Sequence, residues 1–263
     1  MIKLIATDID GTILTETNQF RPKILETIKK IQQKGVKLVL ATGRIYDGVA
    51  PVAKLLGLNT PIICTQGSLL KYNDEILWSA PVEHHLALDV INYLREKGIH
   101  TNFYNNDKVC VEDERYMDDY IGGRYINYNL VDKFENLKWG MITKLLAIVY
   151  DDNKIIELEY DLKERYKGAL GIVRSSRTYL EITNPMASKG NALKKLMDMW
   201  NLCADEVLAS GDQDNDIELL KVAGTRVAMQ NASSDLKKVA NYIAPDVHDD
   251  GWAEAIERFV LCE

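Results

Sequence analysis

Short apolar strands that end in polar clusters, each followed by a helical stretch, recur at both ends of the chain and not in its middle. Residues 3–7 form the first such strand. Ile24, Ile28 and Ile31 then recur at helical spacing, with Lys29, Lys30 and Lys34 on the opposite face and Gly35 as a stop. Residues 36–41 read as a second strand, 45–56 as a helix ending at Gly57, and 61–64 as a third strand. The rhythm returns after Ser188. A helix is expected from 190 to 200, a strand at 207–210, a helix near Asn215, a strand at 226–229 and a last helix at 251–260. Crossovers this short predict an α/β fold with a parallel sheet and helices on both faces.

Between these halves the pattern changes. Residues 67–79 predict a hairpin turning at Asn73-Asp74. Helices are expected at 84–97 and after Asn153, and strands at 100–104, 109–111, 142–150, 169–173 and 179–182. Hairpins with helices on one face describe an α+β domain. The chain therefore divides into a core, 1–81 and 186–263, and an insertion, 82–185.

Charge narrows the function. Lys and Arg number 32 against 39 Asp and Glu, a balance of −7, which disfavours nucleic acid as a partner. No apolar run approaches the about 20 residues of a membrane span, and residues 1–8 reach an acid too soon for a signal peptide. Cys64, Cys110, Cys203 and Cys262 form no CxxC pair, so thiols in a cytoplasmic protein are expected. Asn231-Ala232-Ser233 is then a chance sequon.

Open parallel sheets bind ligands at the carboxyl ends of their strands. There this chain places Asp8-Ile9-Asp10-Gly11-Thr12, Thr42-Gly43-Arg44, and Gly211-Asp212-Gln213-Asp214-Asn215-Asp216, with Lys189 opening the helix before the last strand. Carboxylates so crowded need a cation, and few hard oxygen donors suit Mg²⁺ that also holds a substrate phosphate. Thr42 and Lys189 suit phosphate oxygens. One aspartate can attack phosphorus while another, two residues on, serves as acid and base. The acidic loop is no calcium loop, because its sixth and twelfth places hold Ile217 and Ala223. Arg44 fits either a substrate contact or a carboxylate pair. His84 and His85 read as solvated. Tyr104, Tyr116, Tyr120, Tyr125 and Tyr128 read as packing of the insertion, with stacking on a sugar as the alternative.

Together the four stretches resemble the motifs of the haloacid dehalogenase-like phosphohydrolase superfamily. The long insertion between the second and third motifs resembles the Cof-like sugar-phosphatase branch with its C2-type cap. The resemblance implies a Rossmann-like core with an inserted α+β cap that closes over the site and selects substrate. It implies Asp8 as nucleophile, Asp10 as acid and base, and Thr42, Gly43, Arg44, Lys189 and Asn215 around the phosphoryl group. Mg²⁺ would lie on Asp8, Asp10 (through its backbone carbonyl) and Asp212, with Asp216 in support. The implied activity is hydrolysis of small phosphorylated metabolites, sugar phosphates foremost. A phosphomutase of the same fold and a metabolite-sensing regulator are the rivals. Three places depart from the branch: Gln66-Gly67-Ser68 for Asn-Gly-Ala, Gln230-Asn231-Ala232 for Gly-Asn-Ala, and Gly251-Trp252 for Gly-Val.

Overall fold

The computed structural model describes residues 1–17, 19–122 and 127–262; Tyr125 lies outside them. The strands are β1 (Leu4–Thr7), β2 (Lys37–Leu40), β3 (Ile62–Cys64), β4 (Leu69–Tyr72), β5 (Glu75–Ser79), β6 (His100–Asn105), β7 (Lys108–Val111), β8 (Tyr128–Leu130), β9 (Ile142–Ile148), β10 (Gly171–Arg174), β11 (Tyr179–Thr183), β12 (Val207–Gly211), β13 (Thr225–Met229) and β14 (Tyr242–Ala244). The helices are α1 (Pro22–Gln33), α2 (Tyr46–Leu55), α3 (His84–Glu96), α4 (Met117–Ile121), α5 (Asp152–Arg165), α6 (Lys189–Trp200), α7 (Ile217–Val222), α8 (Ser234–Val239) and α9 (Gly251–Ile256).

Two compact units result. The first comprises Met1–Arg44, Val49–Trp78 and Ser188–Glu263. Its five-stranded sheet, in the order β14-β13-β12-β1-β2, is parallel throughout. Leu4, Ala6, Val39, Val207, Ala209 and Ala228 point to one face, where Leu193 and Leu196 of α6, Leu219 and Leu220 of α7 and Leu236 of α8 bury them. Helices α1 and α9 cover the other face, α1 with Ile24, Ile28 and Ile31 inward. Strands buried on both faces are continuously apolar, as parallel sheets require.

The third strand expected at 61–64 is β3, whose Ile63 forms a parallel bridge with Ala41 at the end of β2. Beyond that bridge, β3 forms an antiparallel ladder with β4, which the sequence reading did not expect. The cause lies in the next residues. Thr65, Gln66 and Gly67 all have positive φ (52°, 58° and 82°), which turns the chain back on itself. A three-stranded sheet, β3-β4-β5, results. The last helix is also shorter than expected, because α9 widens into a π-helical turn over Glu257–Leu261. Helix α8 and strand β14 fall in a stretch where the sequence showed no clear element.

The second unit comprises Ile45–Gly48 and Ser79–Ala187. Ile45 joins it by packing with Tyr104, Val109 and Val111. Its six-stranded sheet runs β10-β11-β9-β6-β7-β8, antiparallel except for the β7–β8 pair. On one face pack Val90, Ile91 and Leu94 of α3 with Ile155, Leu158 and Leu162 of α5. The other face carries Tyr104, Met117 and Tyr120, with Tyr116 and Tyr128 against them, so these four tyrosines pack as expected. His84 is exposed but bonded, its Nε2 lying 2.8 Å from the Gly140 carbonyl oxygen. All four cysteines are thiols.

Candidate active site

β1 and β12 lie side by side in parallel, with Thr7 opposite Ser210. Asp8 and Asp212 come immediately after them, so two residues far apart in sequence meet at one strand edge. Each side chain is almost wholly buried. The loops close tightly around them. Gly11 has φ +81°, and a Cβ there would sit 2.4 Å from Asp212 Oδ2. A Cβ on Gly211 would sit 2.4 Å from Asp216 Cγ. Thr12 Oγ1 donates to Asp212 Oδ1 at 3.2 Å, and Gln213 Nε2 to Oδ2 at 2.8 Å.

Lys189 is the first residue of α6, and Ser188 caps that helix by accepting from the Asn191 amide. The cap aims a fully buried ammonium at two carboxylates. Lys189 Nζ donates to Asp8 Oδ1 at 2.7 Å and to Asp216 Oδ1 at 2.6 Å. Asp216 Oδ2 accepts from the backbone amides of Asp212 and Gln213. Asp8, Asp212 and Asp216 each offer an oxygen within 4.8 Å of the others.

The charges do not cancel. Three carboxylates and one ammonium leave −2 when all are ionised. Burial pushes the Asp8 carboxyl well above its usual range; Lys189 opposes this, while Asp216, Asp212 and Asp10 add to it. Burial and Asp216 push Asp212 up to about 6. Burial would depress Lys189, but Asp216 and Asp8 outweigh it and hold the ammonium above the usual lysine range. A divalent cation with oxygen preference fits this set, since it would neutralise the excess. Asp8 and Asp212 would hold it. Both oxygens of Asp216 are already engaged, so it would orient its neighbours. Asn215 Oδ1, on the same turn, is buried without a hydrogen-bond partner among the described residues.

Asp10 stands apart from this cluster. Its side chain is half exposed, and Arg44 grips both carboxylate oxygens, Nε at 2.9 Å and Nη2 at 2.5 Å. Arg44 thus forms a pair with a carboxylate. Thr42 is buried and accepts from the Arg44 amide at 3.2 Å. A Cβ on Gly43 would meet Gln66 Nε2 at 2.6 Å. Gln66 Oε1 in turn accepts from Asn215 Nδ2 at 2.9 Å. Thus Asn215 is held by one of the departing residues. Asn231, from the Gln230-Asn231-Ala232 stretch, donates to the Gly11 carbonyl at 2.8 Å and accepts from the Val247 amide. Thr12 and Gln213 lie inside the motifs, and Gln66 and Asn231 inside stretches compared with the branch pattern, but nothing local marked the partners they bond.

The family model described as haloacid dehalogenase-like hydrolase matches residues 5–256. The chain belongs to this family. One relative of the haloacid dehalogenase-like hydrolases here is a 5-amino-6-(5-phospho-D-ribitylamino)uracil phosphatase of Bacillus subtilis, 30% identical over 99% of this chain and 96% of its own. Another is a pyridoxal phosphate phosphatase of Escherichia coli, 28% identical over 98% of this chain and 99% of its own. A crystal structure of a haloacid dehalogenase-like hydrolase from Bacteroides thetaiotaomicron superposes with a TM-score of 0.86 at 28% identity, covering 98% and 99% of the two chains. Among the described residues no helix is long and apolar enough to cross a membrane.

Proposed function

We propose that this haloacid dehalogenase-like hydrolase is a cytoplasmic, Mg²⁺-dependent phosphatase of small phosphorylated metabolites, sugar phosphates foremost. The observation that carries the reading is the buried Asp8–Lys189–Asp216 arrangement beside Asp212, with its uncompensated negative charge. The two named relatives support it, since both are phosphatases of small metabolites. The unit of the first sheet would carry the chemistry, and the unit around 82–185 would act as the cap that chooses the substrate.

Mg²⁺ would supply charge neutralisation at the phosphoryl oxygens, held by Asp8 and Asp212 with the Asp10 carbonyl. Lys189 fixes one Asp8 oxygen and leaves the other to attack phosphorus. Asp10, protonated from solvent as one Arg44 contact opens, gives that proton to the departing oxygen while the P–O ester bond breaks and the Asp8–phosphorus bond forms. Asp10 then takes a proton from water, whose oxygen attacks phosphorus and releases phosphate from Asp8. To do so Asp10 exchanges one Arg44 contact for the substrate. Thr42, Gly43 and Asn215 line the phosphoryl group.

Leaving-group chemistry provides the test. Asp8→Asn should abolish turnover. Asp10→Asn should cost about 10²- to 10⁴-fold with a sugar phosphate and less with p-nitrophenyl phosphate, whose leaving group needs no proton. Equal losses with both substrates would remove Asp10 from the role of acid. Phosphoryl return to the bound ligand in place of release to water would point to a mutase. A regulator would show no turnover across a broad phosphate-ester screen with Mg²⁺.

A further inference from the structure

Trp252 is the second residue of α9, and its indole is completely buried. The indole N–H donates to Ser210 Oγ at 3.0 Å. Ser210 Oγ donates to Thr7 Oγ1 at 2.9 Å, and Thr7 Oγ1 donates to the backbone carbonyl of Asp8 at 2.9 Å. Thr7 and Ser210 are as buried as the tryptophan.

An indole nitrogen only donates, whereas a hydroxyl both donates and accepts. The head of the chain therefore sets its direction. With the indole hydrogen on its lone pair, Ser210 gives its own hydrogen to Thr7, and Thr7 gives its hydrogen to Asp8. On the other side of the same residue, the Asp8 amide donates to the Ser210 carbonyl at 2.9 Å. The peptide planes before and after the Asp8 Cα are thus both tied down. Those planes determine φ and ψ, and hence where the Cα–Cβ bond points.

We propose that Trp252 is a positioning residue for Asp8: by fixing the polarity of the Ser210–Thr7 relay, it fixes the backbone that aims the nucleophilic carboxylate. The proposal rests on the reading of Asp8 as nucleophile. Small errors of aim are costly, because attack requires a near-in-line approach at about 3–3.5 Å.

Kinetics of the full chain on p-nitrophenyl phosphate with Mg²⁺ test the relay. Trp252→Phe keeps an aromatic ring and removes the donor; Ser210→Ala and Thr7→Val cut the second and third links. Each should lower kcat by about 3- to 10-fold, the worth of one hydrogen bond, with KM within about twofold of the parent. The double variant Ser210→Ala/Trp252→Phe should be no slower than either single, since a chain already cut cannot be cut again. A purely structural tryptophan would lower Tm and leave kcat per folded molecule unchanged, which overturns the proposal, as would losses that multiply in the double variant. Should Trp252→Phe not fold, Ser210→Ala and Thr7→Val decide. Equal slowing of both supports the relay, and parental kcat in Ser210→Ala beside a slowed Thr7→Val refutes it. No turnover by the unmutated protein would instead overturn the reading of Asp8 itself, and the proposal with it.

Discussion

Replacing Lys189 by methionine leaves a side chain of similar length but strips the buried cluster of its ammonium. Asp8 and Asp216 then lose partners at 2.7 and 2.6 Å. Breaking a buried ion pair by removing one member costs about 3–5 kcal/mol. For a protein of this size that corresponds to a fall in Tm of about 6–20 °C in the transition of the unit that holds the site. The sign of its pH dependence is fixed. Without the ammonium the carboxyls bind protons more tightly in the folded state than in the unfolded chain, so the deficit is greatest above neutrality and shrinks as acid fills them. Added Mg²⁺ should restore more stability to the variant than to the parent, since it replaces the missing positive charge. Turnover should fall by about 10²- to 10³-fold, as for loss of a donor aimed at developing charge. Thermal unfolding followed by circular dichroism at about pH 8 and about pH 5.5, with and without Mg²⁺, reads the first effects; p-nitrophenyl phosphate hydrolysis reads the last. A variant that melts with the parent at the higher pH and turns over at the parental rate would refute the whole account of the cluster.

Three shorter expectations concern the same site. EDTA should stop turnover of p-nitrophenyl phosphate and Mg²⁺ should restore it while raising Tm; full activity in metal-free protein contradicts the assignment of Asp8 and Asp212 as metal holders. In metal-free protein Asp212 titrates near 6 folded against 3.8 as its ordinary value. The folded state therefore holds a proton that the unfolded chain lacks between those values, and stability from this group grows as pH falls through 6 and is complete below 3.8. Asp212→Asn should flatten that part of the Tm–pH curve, and an unchanged slope would show that the carboxyl titrates normally. Gly211→Ala should lower both stability and turnover, because its Cβ would lie 2.4 Å from Asp216 Cγ and push that carboxylate off Lys189; parental kinetics would show that the loop yields freely.

The four stretches that build the site were legible for a topological reason. Parallel strands deliver their C-terminal loops to one edge, so Asp8, Thr42 and Asp212 are legible from strand ends alone, and Lys189 from the helix between. Pair contacts were not. Arg44 with Asp10, Gln66 with Asn215 and Asn231 with Gly11 join residues 34, 149 and 220 apart, and no periodicity encodes such meetings. The pairing of β3 with β4 was hidden as well, since Ile62, Ile63 and Cys64 read alike in a parallel or an antiparallel ladder. Only the three positive φ angles at Thr65, Gln66 and Gly67 decide it. Strand β14, three residues long, and helix α8, six, are too short to establish a period.

The pairing of β1 with β12 has a consequence for how the protein comes into being. Thr7 and Ser210 are neighbours 203 residues apart. During synthesis at about 5–20 residues per second, the first strand waits on the order of 10–40 s for its partner. Meanwhile β2 can cover one edge, and the other offers bare amides and carbonyls to any passing strand. The second unit is completed within that interval, since all its residues precede β12. A nascent chain that has just finished that unit carries Asp8, Asp10 and Thr42 but neither Lys189 nor Asp212. Reactivity therefore arrives late and all at once, when the last third of the chain closes the sheet.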